Sequence, residues 1–486
     1  MFDTQKQDKD EISSLFVGSF NMNGNNISKI DADKWLNRST SYKIKIDDDK
    51  KTRTLKNHTK AIESDLVILS LQECPTAPSQ DYFSSTDRYQ PIVQRMTSTI
   101  SSTKQTKDQV PSVIKSVLSR KHTLVADLAM GETPCQTSKW YGYIRLLVFA
   151  KRNVLHHIHP SPSSPKRCST TSLEGNEMHS SNKRHCGTYH NASRNIIPIL
   201  VPAGRKANDK PEYHPFYKQN QSPDKGAVCL YIPKLEWLIC SMHLCGTNQY
   251  NVPEDHFDAI RVKEINTIAE TCVTTLRNAE VIDENTNYST ILCGDLNFRV
   301  EVYSEPKEKH RGGRDFQAVS NVLNLCQMSN DKSDTIQLNS LFHDHDRLIK
   351  LLRYVRDNQG NQDSLEVSPF SSLSAFGKNL MNANDTIQLF APSSDTFIQQ
   401  HHVIFPSFTF PKAPGDTRKE ASNISSSMPH RKYADKRTPS WTDRILVNDL
   451  FLQLGWKIDS SYANHDILSS DHVPVSASFH FSHNIV

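Results

Sequence analysis

The sequence predicts an α/β fold, and three observations carry that prediction. Short apolar runs with strand character recur along the chain, a long stretch of helical spacing lies between two of them, and several runs end in clustered polar residues. Leu15-Phe16-Val17-Gly18-Ser19-Phe20-Asn21 reads as the first strand. The amphipathic stretch before Asp65 is expected to be helical, and the apolar run from Asp65 to Glu73 reads as the next strand. Further strands are expected at Ile144 to Ala150, Gly226 to Ile232 and Leu235 to Leu244. Glu254 to Arg277 has the length and spacing of an amphipathic helix. Thr290 to Cys293, the residues after Pro439-Ser440-Trp441, and Val475 to Phe481 complete the predicted strands.

One catalytic domain is expected over 13–483, with flexible insertions at 152–223, 357–400 and 413–431. The first insertion is rich in Ser, Pro, His, Asn, Lys and Arg and poor in apolar positions, so it cannot supply a core. No internal repeat or heptad pattern is present. With 486 residues, core size is not limiting. The balance of 57 Lys+Arg against 53 Asp+Glu, a net +4, is too small to argue for nucleic acid or membrane overall, so any cationic site must be local. The 10 Cys form no CxxC pair and several sit in apolar strands, which suits reduced, buried thiols. The start is polar and no apolar run approaches the ~20 residues of a membrane span, so a cytoplasmic protein is expected.

The chemistry lies at strand ends. Asn21-Met22-Asn23-Gly24, Gln72-Glu73, His243, Asp295-Leu296-Asn297 and Asp471-His472 each follow or flank an apolar run, where side chains leave a rigid base together. Singly, each has a plain structural explanation: Glu73 as a solvated acid, Asp295 or Asn297 as a turn cap, His243 as a hydrogen-bonded core histidine. Five such coincidences in one chain favour a site. Carboxylates with an amide suit a hard divalent cation such as Mg²⁺. Zinc fits less well, because strand alternation puts Cys240 and His243 on opposite faces. Lys225 before a strand, and Lys436 and Arg437 before Pro439, offer contacts to an anion such as phosphate.

Taken together, Phe16 to Gly24, Leu71-Gln72-Glu73, Lys225-Gly226-Ala227-Val228, His243-Leu244, Gly294-Asp295-Leu296-Asn297-Phe298-Arg299, Arg437 to Leu446 and Ser470-Asp471-His472 resemble the signature blocks of the inositol polyphosphate 5-phosphatases. Asn21, Glu73, His243, Asp295, Asn297 and Asp471-His472 are shared more widely with the DNase I-like endonuclease/exonuclease/phosphatase superfamily. The resemblance implies a four-layer α/β/β/α sandwich, two mainly antiparallel sheets flanked by helices. It also implies Mg²⁺-dependent hydrolysis of the 5-phosphate of inositol phosphates or phosphoinositides. By position, Asn21, Glu73 and Asp471 would hold the metal. His243, Asp295, Asn297, Asp443 and His472 would be catalytic, with Asp443 pairing with His472. Whether Asp295 or His472 takes the water proton stays open at this point. Lys225, Lys436, Arg437 and Arg444 would bind substrate.

The departures concern substrate choice. Thr409 stands where the family has a lysine for the 4-phosphate, with Lys412 three residues on, so weakened recognition of that phosphate is expected. Asp224 replaces an Asn before Lys225, Val473 a basic residue, and Thr442 a Cys. A nuclease or sphingomyelinase-like phosphodiesterase is the alternative within the superfamily, and a non-catalytic phosphoinositide-binding module is the alternative outside it. The expected partners are the substrate and a peripheral membrane surface, with no nucleic acid and a monomeric chain.

Overall fold

The computed structural model describes residues 12–37, 41–46, 51–56, 60–75, 92–97, 110–118, 121–131, 142–158, 196–202, 225–246, 254–283, 285–300, 342, 344–357, 387–389, 406–408, 410, 439–464 and 467–482. Lys436, Arg437, Thr409, Lys412 and Asp224 lie outside the described residues, as does all of 413–431.

The strands in chain order are β1 (Ser14–Asn21), β2 (Ser41–Ile46), β3 (Lys51–Lys56), β4 (Leu66–Cys74), β5 (Ile92–Thr97), β6 (His122–Gly131), β7 (Tyr143–Lys151) and β8 (Ile197–Pro202). They continue as β9 (Gly226–Ile232), β10 (Trp237–His243), β11 (Ser289–Asp295), β12 (Ile387–Leu389), β13 (Asp443–Asn448), β14 (Trp456–Ala463) and β15 (Val475–Phe481). The α-helices are α1 (Lys29–Asn37), α2 (Val110–Val117), α3 (Leu155–Ile158), α4 (Glu254–Asn278), α5 (Arg347–Asp357) and α6 (Asp449–Gln453).

One sheet runs β14-β15-β1-β4-β7-β6-β5 and the other β12-β13-β11-β10-β9-β8, with β2 and β3 forming a separate hairpin. Only β1–β4, β5–β6 and β10–β11 pair in parallel among the described strands. Strand alternation then sorts the side chains into layers. Val17, Ile68 and Val148 of the first sheet meet Ile239, Ile291 and Val447 of the second in a shared core. On the outer face of the first sheet, Phe16, Phe20, Val67 and Phe149 pack with Trp35 of α1 and Ile114 of α2. Beyond the second sheet, Tyr231, Leu238 and Leu446 pack with Ile265, Ile268 and Leu276 of α4 and with Leu348 of α5. Helix, sheet, sheet and helix are thus four layers, the mainly antiparallel α/β/β/α sandwich that the sequence led us to expect.

The two ends of the sandwich differ. Trp237, Phe451 and Trp456 close one end, with ring centroids 5.3–5.6 Å apart. Toward the other end the shared core turns polar. Ser70 hydrogen-bonds Ser241 across the sheets at 2.6 Å, and Gln72 donates to Ser70 at 2.6 Å. Beyond this polar layer β1, β10 and β11 end at Asn21, His243 and Asp295, and β13 begins at Asp443.

Some elements differ from the sequence reading. The helix expected before Asp65 is a single turn of 3-10 helix, Ala61–Glu63, because Ser64 is already extended and Asp65 is tied to Ser13 by hydrogen bonds of 2.9 Å and 2.8 Å. The strand read as Leu235 to Leu244 starts at Trp237, since Leu235 and Glu236 form the tight β9–β10 turn, with Glu236 at φ +52°. Two ordered strands fall inside stretches read as insertions. β8 lies within 152–223 as the edge of the second sheet beside β9, and β12 lies within 357–400 beside β13.

Candidate active site

Alternation decides which strand-end groups meet. Ile291 and Cys293 face the shared core, so Asp295, two residues further, opens between the sheets. The same count carries His243 inward from Ile239 and Ser241, and Asp443 inward from Ile445 and Val447. Asn21 follows Val17 on β1.

Asp295 is the centre of the group. Its Oδ2 accepts from Asn21 Nδ2 at 3.0 Å and lies 3.6 Å from His243 Nε2 and 3.9 Å from His472 Nε2. Its Oδ1 accepts the backbone N–H of Asn297 at 3.0 Å. Burial opposes its charge, but His472, His243, Lys225 and Arg299 outweigh burial and hold the carboxyl far below the usual carboxylate range. A close approach makes this placement possible: Gly294 has φ +146°, and a Cβ there would sit 2.0 Å from the carbonyl oxygen of Met242 on the neighbouring strand.

His472 Nδ1 lies 2.8 Å from Asp443 Oδ2, the pair expected from sequence. Ser407 and Thr442 hydroxyls donate to the same oxygen at 2.7 Å and 3.0 Å. Burial opposes protonation of His472, yet the Asp443 carboxylate, with Asp295 and Asp471 adding, lifts it to about 9. The ring packs on Phe408 at 4.6 Å, and its backbone N–H donates to Ser470 Oγ, which in turn donates to the Asn21 carbonyl at 2.7 Å. One hydroxyl thereby joins the loop carrying His472 to the end of β1.

Glu73 enters through a bulge. The β4–β7 register shifts between Leu71 and Cys74, and Glu73 takes φ +47°, which brings its Oε1 3.4 Å from Asn21 Nδ2 and 3.8 Å from His243 Nε2. Lys225, just before β9, reaches the same His243 with its ammonium. Asp471 sits at the rim, where Asn23 donates to its Oδ1 and Phe410 N–H to its backbone carbonyl.

Asn297 is held on three sides. It has φ +58°, its Nδ2 donates to the Leu244 carbonyl at 2.9 Å, and its Oδ1 accepts from Arg299 at 2.8 Å. Arg299 closes the Gly294-to-Arg299 block and is a site residue that strand-end position alone does not single out. Its guanidinium lies 4.4 Å over Phe408, so Arg299, Phe408 and His472 form a stack beside Asp295. A cation two residues from Asn297 is the signal that identifies it. Ser407 carries no such signal, because only the fold brings it to Asp443.

Arg444 is a correction. It follows Asp443 on β13 and therefore faces the opposite side of the sheet, where it is 4 % exposed and ion-paired with the buried Asp346. Its guanidinium also lies 5.6 Å over Phe342. It anchors the outer helical layer and has no path to a substrate between the sheets.

The donor set suits a hard cation in part. Asp295, Asp443 and His472 offer ligand atoms within 4.8 Å of one another, and Glu73 adds a carboxylate through Asn21. Asp443 is paired with His472 at 2.8 Å, and Glu73 and Asp295 are the carboxylates that converge on Asn21. Asn21 presents its amide N–H groups to both acids, while its Oδ1 accepts from Asn23 N–H at 3.0 Å. A bound cation would require that amide to turn.

No family model and no curated protein matches this chain. Among solved structures, the inositol polyphosphate 5-phosphatase domain of SpSynaptojanin, in complex with inositol (1,4)-bisphosphate and a calcium ion, has a TM-score of 0.44 at 14% identity, covering 96% of this chain and 83% of that one. A Cimex nitrophorin ferrous NO complex gives 0.40 at 11%, covering 97% and 98%. An AP endonuclease from Leishmania major gives 0.37 at 7%, covering 97% and 89%. These scores are low, and the fold assignment rests on the sheet topology. Among the described residues no helix is long and apolar enough to cross a membrane.

Proposed function

We propose that this chain is a Mg²⁺-dependent phosphatase that hydrolyses the 5-phosphate of inositol polyphosphates and phosphoinositides. The observation that carries the reading is the meeting of Asn21, Glu73, His243 and the Asp443–His472 pair around the ionised Asp295. The blocks quoted from the sequence add the preference for an inositol ring.

The residues divide the work by charge. Asp295 is ionised at neutral pH and orients the attacking water as acceptor. The Asp443 carboxylate favours the protonated form of His472, which suits it to stabilise negative charge on the transferring phosphoryl group. Lys225 adds a cation from the β9–β10 side, held in place by donating to His243 Nε2, and Arg299 adds a cation beside Asn297. Asn297 keeps only one amide hydrogen for a phosphoryl oxygen, so its larger part is to hold the turn after Asp295. Mg²⁺ held by Glu73, with Asn21 and Asp471 at the rim, would supply charge neutralisation for the phosphate and the leaving inositol oxygen.

A phosphodiesterase acting on DNA is the second reading. One observation favours it: Arg444 is withdrawn from the site, which removes one of the contacts that would mark an inositol phosphatase. Rates with Mg²⁺ on a soluble 5-phosphorylated inositol, the same headgroup in lipid vesicles, and duplex DNA with and without an abasic site decide between them. The proposal expects inorganic phosphate from the first two and no strand cleavage. Cleavage of DNA without phosphate release from either inositol substrate would overturn it.

A further inference from the structure

Three cysteines converge behind the second sheet, away from the site. Cys229 of β9, Cys240 of β10 and Cys272 of α4 are completely buried, and their sulfurs all lie within 4.8 Å of one another. Cys229 and Cys240 are direct cross-strand partners, and Cys272 descends on them from the helix. The plain explanation is that a thiol fills space as a small hydrophobe, and Ala227 and Ala269 fill neighbouring space in the same layer. Packing alone requires small residues and sets no requirement that sulfur meet sulfur from three separate elements.

We propose that Cys229, Cys240 and Cys272 form a trithiol site for a thiophilic ion that bonds all three sulfurs as an uncharged adduct. Among the described residues no histidine or carboxylate joins the three, so the ligand set is sulfur alone. Hard cations are excluded by that set, and structural Zn²⁺ takes four ligands. Three sulfurs about 2.3 Å from a pyramidal arsenic(III), with S–As–S angles of about 100°, stand about 3.5 Å apart. From separations within 4.8 Å the cluster needs to contract by no more than about 1.3 Å, on the order of a rotamer adjustment.

Charge then separates the remaining ions. Three thiolates around Cu⁺ leave a double negative charge and around Zn²⁺ a single one, in a layer of Leu, Ile, Met and Tyr side chains with little to solvate it. Trivalent arsenic avoids this cost. Arsenous acid, As(OH)₃, condenses with three thiols to give As(SR)₃ and three waters, so each sulfur trades its proton for a bond to arsenic and no net charge is buried. With all three sulfurs buried, the ion enters as the chain folds or when α4 lifts from the sheet. Once bound, it fastens α4 to the β9–β10 pair.

The test refolds the full chain with arsenite, then washes it with a small monothiol. Native mass spectrometry counts the arsenic retained, and a thermal melt reads stability. Wild type is expected to retain one arsenic per folded chain and to melt higher with it. Cys272→Val and Cys229→Ala, each checked by circular dichroism, are expected to lose both effects, while Cys293→Ala keeps them. Equal retention by wild type and the cluster variants would place the arsenic on other thiols and overturn the proposal. So would a folded wild type that retains none, or one that takes Cu⁺ or Zn²⁺ on these three sulfurs in preference to arsenic.

Discussion

Gly142→Ala tests the site through a residue that carries no chemistry. A Cβ at position 142 would lie 2.7 Å from both Cα and C of Glu73 and 3.0 Å from its carbonyl oxygen, where ordinary contact begins at 3.4 Å. The obstructing atoms are backbone, so no side chain can rotate away. On the other side the packing is tighter still: a Cβ on Gly131 would meet the Gly142 carbonyl oxygen at 2.4 Å. Relief must come from the Glu73 bulge, by roughly 0.7 Å, and overpacking of this kind costs about 1–3 kcal/mol of stability. A displacement approaching 1 Å at a group that positions reactants costs on the order of 10² in rate. Phosphate release from a 5-phosphorylated inositol, measured across a Mg²⁺ series, is expected to fall about 30- to 100-fold in kcat/KM. The half-saturating Mg²⁺ concentration is expected to rise with it, since Glu73 is the displaced group. A folded Gly142→Ala protein with wild-type rate and wild-type Mg²⁺ dependence would refute the role given to Glu73.

The other predictions follow from single contacts. Asp443→Asn keeps the shape but removes the charge that supports the His472 cation, and the new amide N–H₂ takes the buried Oδ1 position, which has no partner among the described residues. Steady-state kinetics should show kcat lower by on the order of 10²–10⁴ with KM little changed. Arg444→Met leaves Asp346 buried and unpaired, so urea unfolding should show a loss of about 3–5 kcal/mol, largely recovered in Arg444→Met/Asp346→Leu. KM for the inositol substrate should stay near wild type in the double variant; a large rise would restore Arg444 to the substrate site. Burial raises the Glu264 carboxyl from 4.5 to about 7, against the pull of Cys245 N–H, Lys225 and Arg261. Because the folded value lies above the unfolded one, the stability Glu264 contributes is present below pH 4.5 and is lost as pH rises through about 7. Glu264→Gln should therefore flatten the stability profile across that window and exceed wild type at pH 8 by up to about 3 kcal/mol in denaturant titrations.

What the sequence made legible was whatever follows from strand period and strand ends. Counting by two from the buried residues of β10 and β11 places His243 and Asp295 between the sheets and Cys240 on the far side, as expected. The same count from Asp443 assigns Arg444 to the outer face, so that correction was available in the sequence and was masked by its motif. The edge strands were hidden for a different reason. Among the described strands β8 pairs on one side only, and although Ile197 to Pro202 is apolar throughout, its two prolines argue against a central strand and polar sequence surrounds it. Contacts set by long-range packing left no local trace at all. Ser407 reaches Asp443 only because the segment around Phe408 is pinned between Ser440 and His472 by isolated bridges, and the three thiols meet only once α4 lies on the sheet. Glu73 shows both limits together. Its place at a strand end is readable, but its direction depends on a bulge, and that bulge depends on a glycine from the start of another strand. Polar type and strand position therefore identify candidate groups, while aim is a property of the paired sheets.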